Sequence, residues 1–294
     1  MLATLRPTLR GLVALTKPRI IELLLVTTVP PMFVAERGVP SGALVVLTVI
    51  GGTLAAAGAN TFNMFIDRDI DASMERTAHR PLVTGAVSPR AALAYGVLLE
   101  VAAFGILWWG ANLLAAALAL SACLFYVFVY TLWLKRSSAQ NIVIGGAAGA
   151  APVLVGWAAV TGSLAPEAWI AFGIVFFWTP PHFWALAVRY ADDYSKADVP
   201  MLPSVASERS VLTQMTVHTA AVVALSLWFA VVADAGVLYW TVAVTTGAAF
   251  GAGVLALWRA LTPRAAMRLF HMSIAYLGLL FAAMAADVIV RFGW

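Results

Sequence analysis

Apolar runs of about twenty residues, separated by polar breaks, occupy most of the chain. A helix rises ~1.5 Å per residue and a bilayer core is ~30 Å thick, so each run is long enough to cross a membrane. Nine windows pass that test, at roughly 20–36, 43–65, 90–110, 112–134, 139–161, 166–187, 211–233, 236–259 and 269–291. The pattern predicts an all-α polytopic membrane protein with nine transmembrane helices. The breaks are unequal: most on one side are a few residues long, whereas 66–89 and 188–210 are long and hold most of the acids. Long polar loops usually carry function. Because these two follow the second and sixth runs, they suggest two related four-helix halves whose acidic loops face each other across the bundle.

Composition agrees, with 62% apolar and 11% charged residues in 294. Of the eighteen Lys and Arg, all but Arg37 and Arg291 fall on alternate loops, as the positive-inside rule requires for an odd number of spans. The N-terminus is therefore expected in the cytoplasm and the C-terminus outside. The basic charge reflects topology and is split among five separate segments, which argues against a nucleic-acid surface. Cys123, the only cysteine, lies inside a predicted span and excludes an intramolecular disulfide or a Cys-based zinc site. Residues 2–16 place Leu2, Leu5, Leu9, Leu12 and Leu15 three or four apart beside Arg6 and Arg10. They predict a short helix on the cytoplasmic leaflet, making 1–19 an interfacial segment before a single membrane domain of 20–294. A transit peptide is the rival reading.

Chemistry concentrates in the long loops. Asn63, Asp67 and Asp71 recur every four residues, so on a helix they lie within about 80° and form one stripe of oxygen ligands suited to Mg²⁺. Asp69 is rotated by about 200° from Asp67 and falls off the stripe. The second loop offers Asp192, Asp193 and Asp198. Facing carboxylates with Arg and Lys nearby suit Mg²⁺ and a diphosphate; the bland alternative is solvated acids paired with neighbouring arginines. Arg76 and Arg80 lie in the first loop, and Lys135 and Arg136, which also suit the role of membrane anchors, follow Tyr130 at the end of span four. Gln140 and Asn141 open span five, and Arg189 closes span six.

Within span six, Pro180 and Pro181 free backbone carbonyls, a feature tolerated mainly beside a cavity. His182 follows them at about 10 Å below the surface, as an iron ligand or proton handler, or simply bonded to a freed carbonyl. Glu100 is the most buried acid and should face the bundle interior or be protonated. Asp234 and Asp287 read as structural, and His218 and His271 fit belts and packing. Gly145, Gly146 and Gly149 let a neighbouring helix, or a flat ligand, approach closely.

LTKPR at 15–19, NMFIDRDIDASMERTAHRPLVTG at 63–85, YTLWLKR at 130–136, NIVIGGAAGAAPVLVGW at 141–157, WTPPHFWALA at 178–187 and DYSKADVPMLP at 193–203 together resemble the UbiA superfamily of intramembrane prenyltransferases. The span-six and second-loop runs point to its heme-modifying branch. The resemblance implies nine helices around a central cavity in the cell membrane, an active site facing the cytoplasm, and Mg²⁺ at the aspartates. It implies farnesyl diphosphate and heme b as substrates, farnesyl transfer to a heme vinyl group with addition of water to give heme O for a terminal oxidase, and a downstream heme-modifying enzyme as partner. Residue by residue, Asn63, Asp67 and Asp71 match the first metal-diphosphate motif and Asp193 the second, as catalytic and metal-binding groups. Arg76, Arg80, Lys135, Arg136, Tyr130, Asn141, His182 and Arg189 are the implied substrate-binding residues. One departure stands out: the positions four away from Asp193 are Arg189 and Ala197, so the second loop supplies one carboxylate, assisted by Asp192 or Asp198. A secondary transporter is the alternative from another class, and a quinone-precursor enzyme the alternative within the superfamily.

Overall fold

The structure, a computed structural model, describes residues 8–293, apart from the side chain of Ile20. Its elements follow the apolar runs. A short α1 (Leu9–Leu15) leads into α2 (Pro18–Glu36) and α3 (Gly42–Ile66), and α4 (Arg68–Ser73) lies in the first long loop. Then come α5 (Pro89–Gly110), α6 (Leu113–Ser137), α7 (Asn141–Thr161) and α8 (Pro166–Arg189). The second loop holds α9 (Ala191–Lys196) and α10 (Leu202–Val205), followed by α11 (Glu208–Val232), α12 (Val237–Leu257) and α13 (Pro263–Phe292). Eight of these helices, α3, α5 to α8 and α11 to α13, are long and apolar enough to cross a membrane. The remaining long helix is α2, of nineteen residues.

Caps explain several boundaries. Ser88, Asn112, Ser207 and Thr262 each accept a backbone N–H three residues on, and Pro89 and Pro263 follow as first helical residues, where the missing N–H costs nothing. The Thr262–Pro263 start extends the last helix six residues beyond the predicted apolar window. It therefore puts Arg264 and Arg268, read as loop residues, on α13. Pro180 and Pro181 are buried inside α8, which stays helical on both sides of them.

Two groups of four helices pack side by side: α3, α5, α6 and α7, then α8, α11, α12 and α13. Helix α2 touches members of both, α3 and α7 on one side and α8 and α13 on the other. The second group is cored by large side chains such as Trp184, Phe229, Phe250, Tyr276 and Phe281, whereas Ala103, Ala115, Ala116, Ala158 and Leu107 core the first. Small residues allow close backbone approach. A Cβ on Gly156 would lie 2.0 Å from the Thr28 carbonyl oxygen of α2, and one on Gly58 would lie 2.6 Å from Glu100 Oε1. Glu100 is thus buried between α5 and α3, as expected of an acid at that depth.

At the end away from the long loops, Asp287 accepts the N–H groups of Gly236 at 2.7 Å and Tyr239 at 3.2 Å, and Arg291 pairs with Asp234 at 3.0 Å. Both acids are structural, as read. Of the expected leaflet helix, Leu9–Leu15 is helical and starts at the Thr8 cap, while residues 1–7 lie outside the described residues. Leu15 is buried against the bundle with Met64, Val87 and Ala92, so α1 docks on the ends of α3 and α5.

Gly156→Ala should lower stability by about 1–3 kcal/mol, because a backbone carbonyl cannot yield as a side chain would. Gly105→Ala, with nothing within 4 Å of the added carbon, should be neutral or slightly stabilising. Thermal unfolding of the detergent-solubilised variants measures both; equal losses would show that the α2–α7 contact is not tight.

Candidate functional site

The carboxylate stripe forms at the end of α3. Backbone bonds from Asp67 N to Asn63 O (2.9 Å) and from Asp71 N to Asp67 O (2.8 Å) carry the helical register across the junction with α4, so the four-residue spacing holds. Asn63, Asp67 and Asp71 are 3%, 0% and 2% exposed, whereas the Asp69 side chain is 61% exposed. Asp69 thus points away from the other three, as its angle on the helix implies.

Buried carboxylates need partners, since desolvating an unpaired charge costs several kcal/mol. Cations arrive from three other elements. Lys135, in the last turn of α6, pairs with Asp67 Oδ2. From the first loop, Arg80 donates to both oxygens of Asp71 at 2.7 Å. Lys17, between α1 and α2, donates from Nζ to Asn63 Oδ1 at 2.6 Å, while Asn63 Nδ2 donates to Asp67 Oδ2 at 2.8 Å and to Thr131 Oγ1 at 3.1 Å. Lys17 has a left-handed backbone, φ 51°, a strained state for a non-glycine residue that the Asn63 contact and the following Pro18 hold in place. Burial, then repulsion from Arg80 and Lys135, brings its pKa down to about 7. At the edge of this shell Arg136, 3.8 Å from Asp67 Oδ1, grips Asp69 with two bonds of 2.8 Å, which is the main reason the Asp69 carboxyl sits at about 2.

Helix α6 positions Thr131 and Lys135 through an irregularity. Its stretch Phe125–Leu134 is π-helical, and Thr131 Oγ1 donates to Tyr126 O, five residues back, at 2.8 Å. Such wide turns are rare and cluster at functional sites. Tyr126 and Tyr130 stack at 5.2 Å, and the Tyr130 ring fills the space a Cβ on Gly145 would take, 2.3 Å away. The Gly145 position thus serves close approach of a tyrosine.

Below the stripe lies an apolar cavity of about 180 Å³ between α2, α3, α6 and α7, lined by Leu24, Ala56, Ala119, Gly149 and Val155, with Asn60 and Tyr126 on its wall. Asn60 is one helical turn from Asn63, so the cavity opens next to the charged cluster.

The two long loops meet, though not through their acids. Ile70 and Met74 of the first pack with Tyr194, Val199 and Met201 of the second, and Arg76 donates to the Tyr194 hydroxyl at 3.3 Å. Burial raises the Tyr194 pKa. Asn141 donates to Ser138 O at 2.6 Å and Pro200 O at 3.3 Å, tying α7 to the same loop. Asp193 does not join the stripe: Tyr194 takes the buried position on α9, and among the described residues no three Asp, Glu, His or Cys side chains come together as a metal-ligand group. The expectation of two facing carboxylate clusters is corrected to one carboxylate stripe facing an aromatic and arginine wall. His182 is stacked between Trp178 at 4.1 Å and Phe270 at 4.5 Å, with Nδ1 2.7 Å from Ser273 Oγ, so a hydroxyl of α13 is its partner at Nδ1 and not a proline-freed carbonyl. Arg189 is exposed, 5.7 Å from the Tyr190 ring.

The donor set suits a hard divalent cation. Asp67 Oδ1 is buried without a hydrogen-bond partner, Asn63 and Asp71 add oxygens on the same face, and three cations stand ready for an anion. Lys17, Thr131, Asn60 and Tyr194 were not read as site residues. Lys17, Thr131 and Tyr194 lie within the LTKPR, YTLWLKR and DYSKADVPMLP runs, whereas Asn60 lies outside every quoted run.

The UbiA prenyltransferase family matches residues 24–282. Protoheme IX farnesyltransferase 1 of Saccharopolyspora erythraea is 53% identical over 285 residues, covering 96% of this chain and 91% of that protein. A solved structure concerned with digeranylgeranylglyceryl phosphate synthase superposes with a TM-score of 0.79 at 17% identity, covering 96% of this chain and 99% of its own. A UbiA homolog from Archaeoglobus fulgidus bound to DMAPP and Mg²⁺ gives 0.66 at 18% identity, with 94% and 99% coverage. The two structures share the fold.

Arg80→Gln should destabilise by about 3–5 kcal/mol, because Asp71 stays buried without its partner. Asp69→Asn should stay within about 1 kcal/mol, since its pair is exposed. Thermal unfolding would compare the two, and addition of magnesium with inorganic diphosphate should recover part of the Arg80→Gln loss.

Proposed function

The chain belongs to the UbiA prenyltransferase family, and we propose that it transfers a farnesyl group from farnesyl diphosphate to a vinyl group of protoheme IX, with addition of water, giving heme O. The observation that carries this reading is the 53% identity, over nearly the whole chain, to a relative named for that activity. The site supports it with a charged cluster built for a metal diphosphate beside an apolar cavity.

Asn63, Asp67 and Asp71 would hold Mg²⁺. When bound, the metal supplies Lewis-acid stabilisation of the charge on the departing diphosphate. Lys17, Arg80 and Lys135 hold the phosphate oxygens and meet the charge that grows there as the C1–O bond breaks. Apolar walls around Ala56, Ala119 and Val155 receive the farnesyl chain and keep water from the allylic cation. The vinyl carbon then forms the C–C bond, water adds to the cation beside the porphyrin, and its proton leaves to the diphosphate or solvent. The charge asymmetry of the loops supports nine membrane crossings, with α2 as the first, and a cytoplasmic site, and the family resemblance supports the cell membrane. A transporter fits less well, because the carboxylate stripe of Asp67 and Asp71 lies at one end of the bundle and not at its middle, where Glu100 is a single acid. The product feeds a heme-modifying enzyme downstream.

Asp67→Asn and Asp71→Asn should each abolish turnover with little loss of folded protein, and Asp69→Asn should be milder; equal loss at all three positions would count against a single ligand stripe. The function itself is tested by mass spectrometry of hemes extracted after reaction with farnesyl diphosphate in ¹⁸O-labelled water. The expected product is protoheme plus farnesyl plus one labelled hydroxyl. An unlabelled oxygen would refute hydration of a cation, and a prenylated phenol in place of a modified heme would move the chain to the quinone branch.

A further inference from the structure

The end of the bundle that carries the stripe has a second polar feature. Arg189 at the end of α8 and Arg264, Arg268 and His271 on α13 line an open groove of about 760 Å³, together with Pro263 and Met267, within the size range of small-molecule sites. Positions 264, 268 and 271 are four and three apart, so they share one helix face. All four polar side chains are exposed, and among the described residues none of the three arginines pairs with a carboxylate. The helix aggravates the imbalance. Arg264 and Arg268 sit near the N-terminus of a thirty-residue helix that has no acid in its first turn, where the aligned peptide dipoles already favour negative charge. An anion in the groove relieves both.

His271 gives the groove a second character. Its Nδ1 lies 2.7 Å from the Met267 carbonyl oxygen. A carbonyl only accepts, so Nδ1 carries the hydrogen and the free lone pair is on Nε2. Metal-binding histidines are held this way, with the other ring nitrogen donating to a backbone carbonyl. His218 makes the same bond to Gln214 O, but its ring packs on Phe177 and Trp184. The groove also adjoins the site already described. The Tyr190 ring is within 5.7 Å of Arg189 and 5.5 Å of Arg76, and Phe270 meets His271 edge-on at 5.4 Å while stacking on His182.

Resting on the reading that a porphyrin is the acceptor, we propose that this groove docks protoheme IX, with Arg264, Arg268 and Arg189 taking its two propionates and His271 Nε2 its iron. Protoheme carries its propionates on the edge opposite its vinyl groups, so holding the propionates here leaves the vinyl edge free to face the diphosphate cluster. Anionic phospholipid headgroups offer the same oxyanions to the arginines but nothing to the imidazole, and this difference separates the two ligands by experiment.

The full-length protein in phosphatidylcholine nanodiscs, titrated with ferric protoheme, should show an imidazole-type Soret shift that His271→Ala loses. The Arg264→Gln/Arg268→Gln double variant should weaken binding by about tenfold or more, as loss of charge-assisted bonds implies. On the unaltered protein, protoheme dimethyl ester should bind about as weakly as free protoheme binds the double variant. Unchanged spectrum and affinity in both variants, or equal binding of ester and free acid, would overturn the assignment. So would a double variant that loses only added phosphatidylglycerol and keeps its heme affinity, which would make the groove a headgroup site. Product formation by the unaltered protein separates the two readings: turnover of heme with groove variants of undiminished heme affinity sinks the groove alone, whereas His271-dependent heme binding without farnesylated product sinks the acceptor reading and leaves the groove standing.

Discussion

Burial of two carboxylates at the end of α3 is the constraint around which the stripe end of the bundle is built. Asp67 and Asp71 are almost wholly shielded from solvent, and an uncompensated charge there would cost more than most helix contacts return. Each compensating cation comes from a different stretch of chain: Lys17 before α2, Arg80 from the first loop, Lys135 from α6. Three connections are therefore fixed by one electrostatic requirement. The left-handed backbone at Lys17 and the π-helical stretch of α6 are local irregularities that deliver those groups, and both would be unfavourable without it.

The same arrangement separates two tasks along the bundle axis. Charge handling stays at the loop end, where ion pairs and hydrogen bonds make a rigid rim. Just below, small residues on α3, α6 and α7 leave an apolar hollow that large side chains would have filled. The other four-helix group has the opposite character, dense with Trp, Phe and Tyr, and serves as the firm wall against which α2 is set. His182, stacked between two aromatic rings and bonded to Ser273, belongs to that wall. The loops close over the site through Ile70, Met74, Tyr194 and Met201, an apolar contact that positions Arg76 without spending a carboxylate.

The length of the apolar runs alone located the long helices to within a few residues, because membrane spans are set by length and apolarity, which are properties of a local stretch. The exception was the start of α13, where a Thr–Pro cap carries the helix into a charged segment that the apolar window excluded. Likewise the exposure of Asp69 against the burial of Asn63, Asp67 and Asp71 was legible from a four-residue spacing, since helical geometry fixes angle from sequence number.

What the chain by itself determined is the set of long apolar helices, the charge asymmetry of its loops and the stripe of Asn63, Asp67 and Asp71, all of which depend on residues close together in sequence. Tertiary structure decided which cations meet that stripe, that Tyr194 and not Asp193 takes the buried place in the second loop, and that α6 widens into a π-helix to bring Thr131 and Lys135 to α3. Those outcomes turn on which of several arginines, lysines and acids pack within a few ångströms of one another across separations of up to 118 residues. Pairing at that range follows from the competition between burial and charge compensation over the whole bundle, and no local pattern encodes its result.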